Sequence, residues 1–517
     1  MPNVENRRLT HWQAKIKTVE ELASVVSTAK ESGKSVVHCH GVFDLLHIGH
    51  IKHLEAARKL GDVLVVTITP DRFVNKGPHR PAFPEPLRAE ALAALECVDY
   101  VSINSWATAV NTIIAIKPDL YVKGIVRGEG MRDHSTAITE EETAVKAVGG
   151  QMVYTDEDTY SASTLINRFM DIFTPEARAF LEGFRERYSP EELIGFVRKV
   201  RPLKTLVIGE TIIDEYNFCT AMGKANKEAV LAVRSLYKET YAGGILAIAN
   251  HVSGFCETVG LLSFLGEIDS YEEFIKTRFD KNVSAKFFRK SGAPTIVKRR
   301  YVEEYLGSKL FEVYVMENGS VDPSMEGSFL ETLEEWLPEY DVVIVADYGH
   351  GLFTEKTIDK ICANAKFLAV NTQTNAGNMG FNMISKYPRA DFISIAEPEV
   401  RLDNRNSHAN IEDLILNTVS RVKCGKMVVT RGKKGCLCYD AQSGFSDVPA
   451  FSVKMVDRIG AGDAVLSLSA LLAAMGTPME VVGFLGNVAG AEACAIMGNK
   501  TPIEPSSLFR HITSLMK

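Results

Sequence analysis

His40-Gly41-Val42-Phe43-Asp44-Leu45-Leu46-His47-Ile48-Gly49-His50 is the stretch whose reading decides the first half of the chain. Before it, Ser35-Val36-Val37-His38-Cys39 reads as a short buried strand, and after it Ile51 to Leu60 carries apolar residues at helical spacing. A strand that turns through glycine into a helix is a phosphate-binding layout, because the helix N-terminus offers unpaired N–H groups and a partial positive charge. His47 and His50 lie three apart, so both project from one side of the first helical turn, and Gly49 leaves room for a phosphate between them. The alternative for such a pair is a structural contact or a metal half-site. A two-histidine metal site usually needs a third protein ligand, and the chain has no H-E-x-x-H pattern.

Outward from this stretch the pattern alternates. Thr18 to Ser32 reads as an amphipathic helix opened by the capping-box-like Thr18-Val19-Glu20-Glu21. Val63 to Ile68 is a continuous apolar strand of the kind buried on both faces; Arg88 to Leu95 is helical, and Tyr100 to Ile103 and Leu120 to Gly124 are further strands. Strands alternating with helices predict an α/β fold with a parallel sheet, whose ligands bind outside the carboxyl ends of the strands. Lys76 and Lys123 both follow predicted strands and so face one crevice. Tyr160-Ser161-Ala162-Ser163-Thr164 sets hydroxyls before an apolar helical run, which reads either as N-capping alone or as a second anion-holding helix start.

The spacing H-x-G-H after G-x-F-D resembles the cytidylyltransferase-type nucleotidyltransferases, over about Val19 to Phe173 and including Pro118 to Gly124. The resemblance implies a Rossmann-like domain in which Gly41, Phe43, Asp44, Gly49, Lys76, Arg88, Lys123, Ser161, Ser163 and Thr164 surround the nucleotide. It also implies His47 and His50 as the groups that stabilise charge on the triphosphate.

A chain of 517 residues exceeds one ordinary core, so at least two domains are expected. A net charge of -7 gives no general pull toward nucleic acid or anionic membrane, so phosphate binding must come from local cations. Nine cysteines without a C-x-x-C pair argue against a zinc site or a disulfide framework and fit a reducing, cytoplasmic setting. The N-terminal residues lack a signal-peptide core, and the apolar run Ala464 to Met475 falls short of the roughly 20 residues a membrane span needs. That run reads as a buried helix.

Thr174 to Leu203 reads as a charged helical linker between prolines, and a new α/β pattern opens at Thr205 to Asp214, with strands at Asp341 to Ala346, Lys366 to Val370 and Met427 to Thr430. Near the end, Asp457-Arg458-Ile459-Gly460-Ala461-Gly462-Asp463 opens an apolar helix. Small residues at 460 to 462 let backbone N–H groups approach an oxyanion, the helix adds its dipole, and the aspartate beside them is placed to take a proton from an attacking hydroxyl.

This stretch resembles the ribokinase-type (PfkB) sugar kinases, over about Lys204 to the end. The resemblance implies Asp463 as the base, Gly460, Ala461 and Gly462 at the transferring phosphoryl group, Asp214, Gly243, Gly244 and Asn250 at the sugar, and Thr430, Gly432 and Gly435 at the nucleotide. It implies Glu399 at magnesium, and a small β lid from the segments between Tyr216 and Tyr241 and between Thr295 and Met316. The chain departs from the family pattern at Ala247 where an asparagine stands, at Ala396 of the N-x-x-E motif, at Asn371-Thr372-Gln373 in place of D-P-K, and at Arg458 in place of a small hydroxyl residue. These losses imply either a changed acceptor or a kinase-fold binding module.

Together the halves resemble the bifunctional heptose kinase/nucleotidyltransferase family with the domain order inverted. The organisation expected is a nucleotidyltransferase domain at 1–173, a linker at 174–203 and a kinase domain at 204–517. The substrates expected are a sugar or polyol phosphate and a nucleoside triphosphate, ATP or CTP, with magnesium. No nucleic acid or membrane partner is expected, and a homodimer through the kinase-like half is.

Overall fold

The computed structural model describes residues 12–74, 80–124, 136–155 (side chains from 140), 173–305, 307–317, 319–451 and 456–517. It divides into two compact units, Met1–Ile172 and Phe173–Met516.

The first unit begins with a helix, Val19–Glu31, because Thr18 caps it: its hydroxyl accepts the Glu21 N–H at 3.2 Å while the Glu21 carboxylate accepts the Thr18 N–H at 2.9 Å. Its strands are β1 (Ile16–Lys17), β2 (Val36–Gly41), β3 (Val63–Ile68), β4 (Tyr100–Ile103), β5 (Leu120–Gly124) and β6 (Gln151–Thr155). They form one sheet in the order β1-β4-β3-β2-β5-β6, every pair parallel. The expected helix at Arg88 to Leu95 runs instead over Glu85–Ala93, with Pro86 in the first turn, where a missing N–H breaks no helical bond. β3 is buried throughout, as its unbroken apolar run requires. Chain order reverses on either side of β2, so the crevice lies at the carboxyl ends of β2 and β5, where helix Ile48–Arg58 starts.

The second unit opens with helices Pro175–Arg185 and Pro190–Lys199, the segment read as a linker. Thr174 and Ser189 cap them, and they pack onto this unit: Phe184 stacks on Phe484 with centroids 4.6 Å apart, and Arg185 Nη2 donates to the Leu515 carbonyl at 2.6 Å. The strands after these helices are β7 (Lys204–Gly209), β8 (Thr211–Lys224), β9 (Leu231–Gly244), β10 (Thr258–Ile268), β11 (Val283–Pro294), β12 (Ile296–Glu303) and β13 (Lys309–Val315). Further along come β14 (Val342–Asp347), β15 (Leu368–Thr372), β16 (Phe392–Ala396), β17 (Lys426–Thr430), β18 (Cys436–Asp440) and β19 (Gly444–Val448). Nine of them form a sheet in the order β11-β10-β7-β14-β15-β16-β17-β18-β19, parallel as far as β17. The other four, β13-β12-β8-β9, make a separate sheet that carries Asp214 on β8. Helix Ala461–Ala474 is buried against helices Met479–Cys494 and Ile245–Ser253. All nine cysteines are free, and among the described residues no helix is long and apolar enough to cross a membrane.

Candidate active sites

In the first unit the chain leaves β2 through a constrained loop. Phe43 has a φ of 47°, and its ring sits so close to Gly41 that a Cβ there would lie 3.1 Å from it. The same ring meets His50 edge-on at 5.3 Å. His47 is the N-cap of helix Ile48–Arg58: its Nδ1 accepts the Gly49 N–H at 3.1 Å, and its ring stacks on His50 with centroids 3.9 Å apart. Burial holds the His47 pKa below its ordinary value, so the ring is neutral. A neutral ring that accepts at Nδ1 carries its proton on Nε2, and that atom is buried without a hydrogen-bond partner among the described residues. The helix start thus presents an N–H donor from a side chain beside its own first-turn N–H groups.

The cations named for this site have different duties. Arg88 is buried rather than facing the crevice: Nε donates to the Phe83 carbonyl at 3.0 Å, Nη1 to the Val42 carbonyl, and Nη2 to the Thr69 carbonyl at 2.9 Å and Asp71 Oδ1 at 2.5 Å. It ties three loops together and corrects the expectation of a phosphate-binding arginine. Asp44 is likewise buried, accepting from Arg80 at 3.2 Å and from the Ala82 N–H, so it holds the 80–82 loop rather than the nucleotide. Lys123 faces the sheet end but is paired with Glu141 at 2.6 Å. Lys76, Ser161, Ser163 and Thr164 lie outside the described residues.

In the second unit, Asp347, Thr372, Ala396 and Thr430 end β14, β15, β16 and β17, all at the same edge of the sheet, and Asp463 sits in the first turn of helix Ala461–Ala474 beside it. A cavity of about 250 Å³ opens there, lined by Asp214, Lys298, Arg300, Tyr348, Arg458 and Asp463 among others. Gly460, at a φ of 82°, is packed so tightly on Asn499 that no side chain fits. Asp463 is buried, and its Oδ1 accepts from the Tyr348 hydroxyl and the Gln373 amide, each at 3.1 Å. Burial pushes its pKa up to about 6, against the pull of those donors and of Lys298.

Asp214 is paired with the buried Arg300, and a Cβ on Gly243 would come 2.2 Å from Asp214 Oδ2, so the glycine is what lets the carboxylate sit there. Gly244, at a φ of 55°, joins the same wall. Near Ala247, where the family's asparagine is missing, neither Asn250, expected at the sugar, nor His251 beside it reaches the cavity wall. His251 is buried, with Nδ1 accepting the Ile503 N–H at 3.1 Å, and Asn250 is absent from the lining. The groups that do line it from β12 are Lys298 and Arg300, which sequence reading passed over; their spacing of two on one strand, which puts both on one face, was the available signal.

A smaller cavity of about 130 Å³ adjoins the first, sharing Gln373 and Gly462, and is lined by Asn371, Ser394, Glu399 and Thr430. Gly432 and Gly435, with φ of 58° and 86°, shape the turn from β17 to β18 beyond Thr430. Glu399 Oε2 and Asn371 Oδ1 are buried here without hydrogen-bond partners among the described residues. Two such oxygens fit magnesium, which takes one or two protein oxygens and completes its shell with phosphates and water. Among the described residues no group of three or more His, Cys, Asp or Glu could hold a metal alone.

Comparison with known proteins agrees with this division. The model of the pfkB family carbohydrate kinases matches residues 203–505, and that of the cytidylyltransferase-like proteins matches residues 38–168. The bifunctional protein HldE of Syntrophotalea carbinolica is 37% identical over 163 residues, 31% of this chain and 32% of its own. HldE of Trichlorobacter lovleyi is 35% identical over 166 residues, 32% of each chain. The match therefore spans about a third of the length of these curated relatives. Phosphofructokinase-2 from Escherichia coli, solved in complex with potassium, shares the fold at a TM-score of 0.50 and 14% identity, over 61% of this chain and all of that one. With more than half of its length matched by that family's model, the chain belongs to the pfkB family of carbohydrate kinases and carries a cytidylyltransferase-like segment before the kinase domain.

Proposed function

We propose that the protein is a bifunctional precursor enzyme of sugar-nucleotide synthesis. In the first unit the phosphate of a sugar or polyol phosphate attacks the α-phosphorus of ATP or CTP in line, and pyrophosphate leaves. No covalent intermediate is needed, because the reaction asks for positioning and charge stabilisation. His47 Nε2–H and the first-turn N–H groups donate to the triphosphate oxygens, and His50 supports the His47 ring by stacking. The His47 and His50 rings stack too closely for a phosphate to lie between them, as Gly49 was expected to allow, so the phosphate lies at the helix start beside His47 Nε2, and Lys123, Ser161, Ser163 and Thr164 complete the site in this reading.

In the second unit Asp463 takes the proton of an acceptor hydroxyl as its oxygen attacks the γ-phosphorus of ATP. The N–H groups at Gly460 to Gly462 face the transferring phosphoryl group, and Thr430, Gly432 and Gly435 border the nucleotide. Glu399 and Asn371 would hold magnesium, which neutralises charge on the β- and γ-phosphates when bound. Lys298, Arg300 and Arg458 all line the cavity, and this basic lining suits a phosphorylated sugar as acceptor, a heptose phosphate by family resemblance.

The observation that supports the active reading of the kinase half best is the intact Asp463 arrangement, buried and hydrogen-bonded at the mouth of a helix that opens on a cavity. The cytoplasm is the compartment in which nucleoside triphosphates are available to both halves. A homodimer through the four-stranded sheet belongs to the same proposal, on the exposed Leu231, Leu236, Tyr237, Phe311 and Val313. The test is a screen of sugar phosphates for ADP formation and for pyrophosphate release. ADP formation should vanish in Asp463→Asn, and pyrophosphate release should fall by orders of magnitude in His47→Ala; a variant that keeps the wild-type rate removes that half of the assignment.

A further inference from the structure

Asp463 receives both of its side-chain hydrogen bonds on one oxygen. Tyr348 and Gln373 donate to Oδ1, and among the described residues no donor reaches Oδ2. Tyr348 is itself held from several directions. Its N–H donates to Glu210 Oε2 at 3.0 Å, and the other Glu210 oxygen takes the His350 N–H at 3.0 Å. Its carbonyl accepts from the side-chain amides of Asn375 and Asn378, each at 2.8 Å. Asn382 donates to the Asp347 carbonyl at 2.9 Å and to the Gln373 carbonyl at 3.2 Å, so it fixes the backbone behind both donors. Gly349 makes this possible, since a Cβ there would lie 2.1 Å from Asn378 Nδ2. The run Thr374-Asn375-Ala376-Gly377-Asn378-Met379-Gly380-Phe381-Asn382, to which sequence reading gave no role, therefore uses three of its asparagines to clamp the loop that carries Tyr348.

We propose that Tyr348 and Gln373 are positioning residues for Asp463. They fix Oδ1, leave Oδ2 as the atom that takes the proton and stabilise the ionised carboxylate against its burial, while the asparagine loop keeps both donors in place. The proposal rests on Asp463 being the base of the kinase half. In the step it serves, the acceptor O–H bond breaks toward Oδ2, the acceptor oxygen bonds the γ-phosphorus, and ADP leaves with the bridging oxygen.

The charges facing Asp463 are Asp214, Lys298 and Arg300 from the four-stranded sheet, Arg458 from its own loop, and Glu210 behind Tyr348. Asp214 and burial favour the neutral acid; Lys298 and the two hydrogen-bond donors favour the anion.

The test uses the full-length chain and needs no acceptor. Burial of an acid whose folded pKa is raised costs stability as pH climbs from its unfolded value, about 3.9, to its folded one. The rise in unfolding midpoint produced by Asp463→Asn should therefore grow from about pH 4 and level off near the pKa of about 6. In a Tyr348→Phe background the same difference should level off about one unit higher, because a donor to the anion is gone. Gln373→Leu should act in the same direction. Subtracting within each background cancels any general loss of stability. A plateau at the same pH in all three backgrounds, or a gain that does not vary with pH, overturns the proposal. Absence of ADP formation with every acceptor would instead count against the kinase reading, and the titration would still be readable.

Discussion

A charged residue in a motif can be read from sequence for its presence but not for its partner, as Arg88 demonstrates. The family resemblance puts it among the cations around the nucleotide; in the fold its guanidinium is buried on the carbonyls of Phe83, Val42 and Thr69 and on Asp71. Sequence shows where a cation is, while the carbonyls that capture it belong to loops brought together only by the sheet. The placement of His47 at the helix start was legible for the opposite reason, because it depends on a local arrangement, the N-cap and Gly49, that four residues specify. The consequence for Arg88 is structural. Arg88→Met should leave three carbonyls unsatisfied and destabilise the first unit by about 3 kcal/mol or more, read as a lower urea midpoint at unchanged slope. If the variant kept full stability and lost only nucleotide affinity, the phosphate-ligand reading would return.

At the scale of elements, the signals that survived are those a short window contains. The apolar runs of β3, β14 and β17 and the capping box at Thr18 stand where periodicity and spacing put them, because burial on both faces and cap geometry are local demands. What stayed hidden is pairing across elements. The seat of Asp214 is made by β9, whose Gly243 lies opposite Ile212, and by β12, whose Arg300 reaches across to the carboxylate. Neither neighbour is visible from Asp214 outward along the chain. Gly243→Ala would put a methyl group into the carboxylate and force it off Arg300. ADP formation should fall at least tenfold through a higher acceptor KM, while the KM for ATP, bounded by Thr430 and Glu399 on the other side of Gln373, stays within about twofold. Equal losses in both constants would mean that strand β9 as a whole, and not the seat of Asp214, had been disturbed.

At the scale of the whole molecule, each of the two units has one main, largely parallel sheet with its own topology and a candidate site at the carboxyl ends of its strands, the four-stranded sheet being a further part of the second unit. The helices at 175–199 are packed into the second unit, so each unit carries its own core and its own candidate anion site at a helix start. The two chemistries are then separable by single substitutions in the intact chain. In the proposed function His47 donates to the triphosphate of the nucleotidyl transfer, while Asp463 takes a proton in the other reaction, phosphoryl transfer. His47→Ala should therefore abolish pyrophosphate release while ADP formation stays within about twofold of wild type, and Asp463→Asn should do the reverse, measured on the same preparations with each acceptor supplied directly. Circular dichroism and unfolding midpoints close to wild type would show that neither change works through the fold. If Asp463→Asn silenced both reactions although its product was supplied, the two sites would have to be coupled. The independent cores could not account for that coupling, and a shared two-state element biased by both ligands would have to be sought.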